Sequence, residues 1–460
     1  MTMWQPELKP SSLAKYKQVA DAIDEAVASG ALKAGEKLPP QRRLADALGV
    51  TIGTITRSYA ESERRGTVVA RVGSGTYIKQ AEPGPYVMLT GDDSRYDLRS
   101  SKAPAGPQED LMAQALTEIA GDRQLLAACL DYQPETGLQH QRQQLADWLS
   151  GRNLVCSADE VLFTYGGQHG ISLSLQATCR SGDTVLCEGL SFPGIALACQ
   201  EQQLKCHGLA MDEQGVLPQA LISACQQYNP RVLYLTSQVQ NPSCVQMPLS
   251  RKLELIAICR QYQLLILDDD VQFLPESEKV SSFYLLAPEL TIYISSFSKS
   301  FSGGLRLGYL VARNRLRSGL RKSLRASCWT IPPVMVELVC RWLTSGKMAE
   351  QEAWLTREML ARHRILQKEL AGYPLITLPY AFNAWLALPE HWRAVDFVQY
   401  AQGKGLLLRA AESYAIGRFP APQNIRISLC APRSYERLKQ ALVLLKLCLE
   451  DTPASDELVM

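Results

Sequence analysis

One lysine, five serines, a Gly-Gly pair and an arginine fall within SSFSKSFSGGLRLGY, Ser295 to Tyr309. The apolar run Leu290 to Ile294 just before it reads as a short buried strand, which delivers Lys299 on the loop beyond the strand's end. A lysine held in such a pocket loses its proton, and the free amine attacks an aldehyde; a hydrated surface ammonium stays charged and inert. Ser296 and Ser298 offer hydroxyl donors to a phosphate, and Arg306 offers a planar fork matched to phosphate oxygens. Gly303 and Gly304 let the chain turn tightly enough to bring Arg306 back beside Lys299. A lone S-x-K would be an ordinary polar loop, but the whole run suits capture of an aldehyde that carries a phosphate, the description of pyridoxal phosphate (PLP).

Elements that could position this lysine recur along residues 96 to 460. Apolar runs Val161 to Thr164, Thr184 to Cys187, Val232 to Thr236, Leu264 to Leu267 and Leu290 to Ile294 alternate with helical stretches. That pattern predicts an α/β fold with a mainly parallel sheet covered on both faces, whose ligands sit beyond the carboxyl ends of the strands. Polar groups follow each run: Tyr165-Gly166-Gly167-Gln168, Cys187-Glu188 with Ser191-Phe192-Pro193-Gly194, Gln240-Asn241-Pro242, and Asp268-Asp269-Asp270. Read alone, the three carboxylates also allow a divalent metal.

These motifs, in this order, resemble those of fold-type I PLP enzymes, the aspartate aminotransferase superfamily, whose lysine segment reads S-F-S-K-x-x-x-P-G-L-R-x-G. The resemblance implies that Lys299 forms the Schiff base, that Ser296, Ser298, Arg306, Gly167 and Gln168 hold the phosphate, and that Phe192 stacks on the pyridine ring. It also implies that Asn241 donates to the phenolic oxygen and that Asp269 keeps the ring nitrogen protonated, which leaves no metal in the site. Arg426, in Asn424-Ile425-Arg426-Ile427-Ser428, matches the arginine that clamps a substrate α-carboxylate. Tyr132 matches the tyrosine that reaches the phosphate of a neighbouring subunit, so a homodimer is implied. Three departures stand out: Gly303 replaces a proline, Cys244 replaces a turn glycine, and Val271 and Gln272 occupy positions where the family has a tyrosine. The last of these puts turnover in question, although Gln272 retains hydrogen-bonding capacity.

Residues 1 to 80 read differently. They carry 12 Lys and Arg against 8 Asp and Glu, whereas the remainder carries 36 against 38. Val19, Ile23 and Val27 form the stripe of a first helix that Gly30 stops. A second helix holds Leu44 and Leu48 and ends at Gly49, and a third starts on Thr51 as N-cap, buries Ile55 and Tyr59 and runs to Gly66. Val68 to Lys79 alternates around Gly73-Ser74-Gly75 as a hairpin. GALKAGEKLPPQRRLADALGV with this hairpin resembles the winged helix-turn-helix of GntR-type repressors. That resemblance implies phosphate contact by Arg42, entry of the helix from Thr51 into the major groove, and further DNA contacts by Thr54, Arg57 and Arg71. Thr51-Ile52 stands where Ser-Arg is frequent, and isoleucine cannot make arginine's bidentate contact to guanine.

At 460 residues the chain exceeds one compact core. The expected layout is a winged helix over 1–80, a linker over 81–95 and an aminotransferase-like domain over 96–460. Within that domain the small part covers roughly 96–125 and 346–460, and the large part roughly 126–345. Apolar residues make up 46% of the chain, with no run of 18, and MTMWQPELKP lacks an apolar leader, so a cytoplasmic location is expected. Thirteen scattered cysteines without C-x-x-C pairs indicate neither a disulfide framework nor a zinc site. Fusion of the two modules is the mark of the MocR subfamily of GntR-type regulators. The implied function is a PLP-dependent DNA-binding transcriptional regulator that senses PLP, an amine or an amino acid through a Lys299 aldimine. The alternative is an active aminotransferase with an accessory DNA-binding domain.

Overall fold

The computed structural model describes residues 4–6, 13–33, 35–65, 67–71, 75–78 and 95–451. It divides into two compact units, Met1–Gly91 and Asp92–Met460. The expected linker 81–95 lies outside the described residues except for Arg95, as do the hairpin tip 72–74 and the side chain of Arg71.

The first unit comprises α1 (Lys15–Ala28), α2 (Gln41–Leu48), α3 (Ile52–Arg64) and the antiparallel hairpin β1 (Val68–Arg71) with β2 (Gly75–Ile78). Val19, Ile23, Leu44 and Ile55 are fully buried in one cluster, which Tyr59 joins while its hydroxyl donates to Pro39 O at 2.7 Å. Local chemistry sets the ends of the second and third helices. Gly49 closes α2 in the left-handed conformation (φ 62°), where a side chain would be strained, and Thr51 Oγ1 accepts the Thr54 amide at 3.2 Å to cap α3. Arg65, just past α3, bonds Asp21 at 2.6 Å and Asp24 at 2.8 Å on α1.

The second unit is built on a seven-stranded sheet of β3 (Val161–Thr164), β4 (Thr184–Glu188), β5 (Lys205–Leu209), β6 (Val232–Leu235), β7 (Leu265–Asp269), β8 (Thr291–Ser296) and β9 (Gly308–Val311), in the order β3-β9-β8-β7-β6-β4-β5. Only β9 runs antiparallel to the rest. The central strands are buried on both faces, which explains their unbroken apolar runs. Two strands escaped the sequence reading. The edge strand β5 (KCHGL) exposes Lys205 and lacks an apolar run, and β9 follows the lysine loop too closely to read as a separate element.

Covering helices include α4 (Gln139–Ser150), α5 (Gly166–Thr178) and α6 (Asn314–Cys328). A second core forms where α7 (Lys347–Glu369) and α8 (Tyr435–Glu450) pack on a four-stranded sheet. That sheet contains β10 (Leu375–Ile376), β11 (Asn383–Ala387), β12 (Arg409–Ala410) and β13 (Asn424–Ser428), in the antiparallel order β10-β11-β13-β12. Leu98 belongs to this core, but Ala115 and Ile119 belong to the large one, so the segment 96–125 is shared between them. Among the described residues no helix is long and apolar enough to cross a membrane.

The small first unit depends on few side chains. Ile55→Ala is expected to lower its stability by roughly 2–4 kcal/mol and to shift its denaturation midpoint, leaving the transition of the second unit in place. A single unchanged transition for the whole chain would contradict this.

Candidate functional site

Lys299 sits in a turn directly after β8, half-buried, and its amine donates to the carbonyl of Ser101. Burial and then the charge of Arg426 push its pKa down to about 8, so roughly a tenth is the nucleophilic free amine at pH 7, far more than for a lysine at its ordinary pKa. Asp269 ends β7 and is buried. Its Oδ2 accepts from Tyr234 Oη at 2.6 Å and its Oδ1 from the Val271 amide at 3.2 Å, yet burial pushes its pKa up to about 7. That carboxyl is short of a positive partner.

The three consecutive aspartates do not converge. Asp268 accepts from Ser237 Oγ at 2.8 Å and the Phe283 amide at 2.9 Å, whereas Asp270 accepts from Tyr293 Oη at 2.6 Å and Lys279 Nζ at 2.9 Å. Strand geometry turns Asp269 to the face opposite Asp268, and Asp270 lies just past the end of β7, so the carboxylates serve separate partners. Among the described residues no group of three His, Cys, Asp or Glu is placed to hold a metal ion.

Arg426 on β13 donates to Asn241 Oδ1 at 2.9 Å and to Arg99 O at 2.6 Å, with the Tyr414 ring 5.2 Å away. With its oxygen taken, Asn241 keeps its amide NH2 as the free donor. Cys244, where the family has a turn glycine, itself adopts a positive φ (61°), and its amide bonds Gln240 O at 2.8 Å.

Facing this group is the start of α5. Gly166 has φ 75°, and a Cβ there would come within 3.2 Å of Arg306 Nη2, which donates to Tyr165 O at 3.2 Å. Arg306 therefore stands beside the amide-rich helix end, an arrangement that attracts anions. The turn that brings it there differs from expectation. Gly303 and Gly304 begin a short 3₁₀ turn, and the left-handed residue is Arg306 itself (φ 48°). Ser296 is buried and its Oγ accepts the Ser298 amide at 3.4 Å. Gln168 Nε2 donates to Gly194 O at 2.8 Å, and Phe192 folds its ring against Gly194, so its position is fixed by backbone approach.

Val271, at the usual tyrosine position, packs so tightly on Gly167 that a Cβ there would meet its Cγ2 at 2.7 Å. Gln272 lines a neighbouring cavity whose wall includes neither Lys299 nor Asp269, so the missing phenol is not replaced by that side chain. Tyr132 is 86% exposed and touches Trp329, at the end of α6, edge-on at 6.5 Å. In the first unit Arg42, Thr51 and Arg57 are exposed, and the Thr51 and Thr54 hydroxyls bond each other at 2.9 Å.

Residues given no role from sequence complete the site: Tyr234, Ser101, Arg99, Tyr414 and Glu188, of which only Glu188 is noted there, at the end of its strand. Glu188, also pushed up to about 7 by burial, accepts from Thr236 Oγ1 at 2.8 Å. Only Tyr234 and Glu188 carried a signal, being polar groups on otherwise apolar strands. Gln168 Oε1 and Arg426 Nε are buried without partners, the mark of a site shaped for a further molecule. An amine with a depressed pKa, a buried carboxyl lacking a cation and a phosphate-sized anion cradle fit a phosphorylated pyridine aldehyde.

The folded pKa values of Asp269 and Glu188 exceed their ordinary ones, so their contribution to stability is complete below about pH 4 and is lost as pH rises through about 7. The contribution of these two carboxyls to the melting temperature of the ligand-free protein is expected to fall between about pH 4 and 7. Asp269→Asn should flatten that fall, and an unchanged slope in the variant would count against this assignment.

Two family models match the chain. Aminotransferase class I and II covers residues 100–445, and Bacterial regulatory proteins, gntR family, covers residues 15–78. Among curated relatives, the HTH-type transcriptional regulator YdeF of Bacillus subtilis is 25% identical over 97% of both chains. The vitamin B6 salvage pathway transcriptional repressor PtsJ of Salmonella typhimurium is 26% identical over 90% of this chain and 93% of its own. The pyridoxine biosynthesis transcriptional regulator PdxR of Corynebacterium glutamicum is 26% identical over 78% and 79%. Of solved structures, the multiple substrate aminotransferase of Thermococcus profundus superposes with a TM-score of 0.70 at 17% identity, covering 81% of this chain and 95% of that one. An archaeal alanine:glyoxylate aminotransferase gives 0.68 at 19%, covering 77% and 90%. The chain belongs to the aminotransferase class I and II family, in the MocR-type branch where that fold is joined to a GntR helix-turn-helix.

Proposed function

We propose that this transcriptional regulator binds duplex DNA through α3 and its wing, holds PLP at Lys299, and changes its grip on DNA when an amine or amino acid competes for the cofactor. The observation that carries this reading is the burial of Lys299 beside Asp269 and Arg426, with its pKa lowered and with polar atoms of Gln168 and Arg426 left without partners. PLP, when bound, supplies an aldehyde that one amine can take from another. Lys299 is the resident amine. Asp269 is the group to hold a proton on the pyridine nitrogen, and Asn241 the donor to the phenolic oxygen. Gly167, Gln168, Ser296, Ser298 and Arg306 are the phosphate contacts, Phe192 the ring's stacking partner, and Arg426 the clamp for an effector carboxylate.

On the DNA side, Arg42 and Arg57 supply phosphate contacts and Arg71 extends them along the wing. Thr51 and Thr54 hold the entering end of α3, and the exposed Ile52 offers only an apolar contact there. Tyr132, turned outward beside Trp329, is suited to serve a second copy of the chain, and a homodimer places two winged helices on paired half-sites. A cytoplasmic location accords with a DNA partner. Two PLP-related regulators among the relatives, PdxR and PtsJ, support the choice of cofactor.

The second reading, a transaminating enzyme, draws on Lys299, Asp269 and Arg426 standing together. The hydrocarbon of Val271 at the phenol position weighs against it. Operator affinity measured with and without PLP, for the natural chain and for Lys299→Ala, tests the proposal. PLP should shift affinity about tenfold or more in the natural chain and not in the variant, a coupling of roughly 1.4 kcal/mol. Equal affinities throughout would remove PLP from regulation, and sustained turnover of an amino acid with a keto acid would favour the enzyme.

A further inference from the structure

A cavity of about 220 Å³ lies behind the lysine loop, with Ser296 and Ser300 in its wall and none of Lys299, Asp269, Asn241 or Arg426. At about 30 Å³ per water in the liquid it has room for a small organic molecule. Five charged side chains line it: Arg152 and Lys279 against Asp270, Glu276 and Glu352. The two cations are already shared. Arg152 bonds Glu352 and, at 3.1 Å, Glu276, while its guanidinium lies 4.0 Å from the Trp148 ring centre. Lys279 bonds Asp270 at 2.9 Å and Glu276 at 3.2 Å. Three carboxylates thus divide two cations, and Asp270, 4% exposed, keeps one oxygen without any donor. A polar cavity with one surplus negative charge is completed by a ligand bearing one positive charge and hydrogen-bond donors.

We infer that this cavity is a second small-molecule site, for a small protonated amine, distinct from the pocket of Lys299. Its walls join three elements: the loop around Glu276 and Lys279, the segment just past α4 with Arg152, and the first turns of α7 with Glu352. The side chains of Glu276 and Lys279 are part-exposed at 28% and 20% and form its polar rim. A ligand held there lies against Ser296 and Ser300 of the lysine loop, sharing only Ser296 with the residues proposed to hold the cofactor, a route by which an amine can act on the regulator without exchanging at Lys299.

The probe is 2-(dimethylamino)ethanol, a tertiary amine that is protonated near neutrality, carries a hydroxyl donor and cannot condense with an aldehyde. Calorimetric titration of the full chain should show saturable binding, retained in Lys299→Ala and weakened about tenfold or more in Glu276→Gln. Glu352→Gln provides an independent second variant, and thermal melts of both establish that they are folded. Absence of binding to the natural chain, undiminished binding in both folded glutamine variants, or binding lost in Lys299→Ala would each overturn the inference; the last would place the probe in the cofactor pocket. None of these outcomes depends on PLP being the cofactor, so failure here leaves the proposed function standing.

Discussion

Removing three charges from water where the two sheets of the second unit meet the lysine loop is the constraint around which that unit is organised. Asp269 ends β7, Lys299 lies on the turn just past β8 and Arg426 stands mid-strand on β13 of the small sheet, and none would be tolerated there without compensation. Each has been given a partial partner: a carbonyl for the lysine, a tyrosine hydroxyl for the aspartate, and an amide oxygen with a carbonyl for the arginine. None has been given a full counter-ion. The shifted lysine and aspartate pKa values express that deficit, which a ligand with an aldehyde, a protonated ring nitrogen and an anionic group would remove.

The alternation of side chains along β7 distributes this electrostatic load. Asp268 is turned to the hydroxyl of Ser237 and the start of the helix at Phe283, Asp269 to Tyr234 and the site, and Asp270 to Tyr293 and Lys279. One short run therefore serves the frame, the chemistry and the second cavity: the two-residue period turns Asp269 away from Asp268, and Asp270, just past the strand, takes its own partners. Because Val271 follows at once and packs on Gly167, the same run determines how the site departs from its relatives' pattern: a hydrophobic contact takes the place of a phenol.

The first unit works on another principle. Its third helix is held by its N-cap and by one small apolar cluster, so its polar surface stays exposed. On the proposed function, Ile52, 46% exposed at the leading end of α3, shifts the burden of recognition from base-specific hydrogen bonds toward phosphate contacts and groove shape.

Local chemistry made much of this legible in the residues alone. In the first unit the second helix stops at Gly49 and the third starts at Thr51, and the buried central strands announce themselves because a strand covered on both faces is apolar throughout. The order of Gly167-Gln168, Asn241, Asp269, Lys299 and Arg426 was enough to name a cofactor. Long-range packing decided the rest. The edge strand β5 and most of the small sheet carry no apolar run, because exposure or brevity erases the pattern, and the reversed β9 is apolar but follows the lysine loop so closely that it does not read as a separate strand. The partners Ser101, Arg99 and Tyr414 lie far in sequence from the side chains they hold, and a hydrogen bond between distant segments leaves no trace in local spacing. Whether Gln272 could stand in for a tyrosine, whether Cys244 could adopt a glycine's conformation, and which way each aspartate of the triplet faced were questions of direction in space, settled only when the strands were laid side by side.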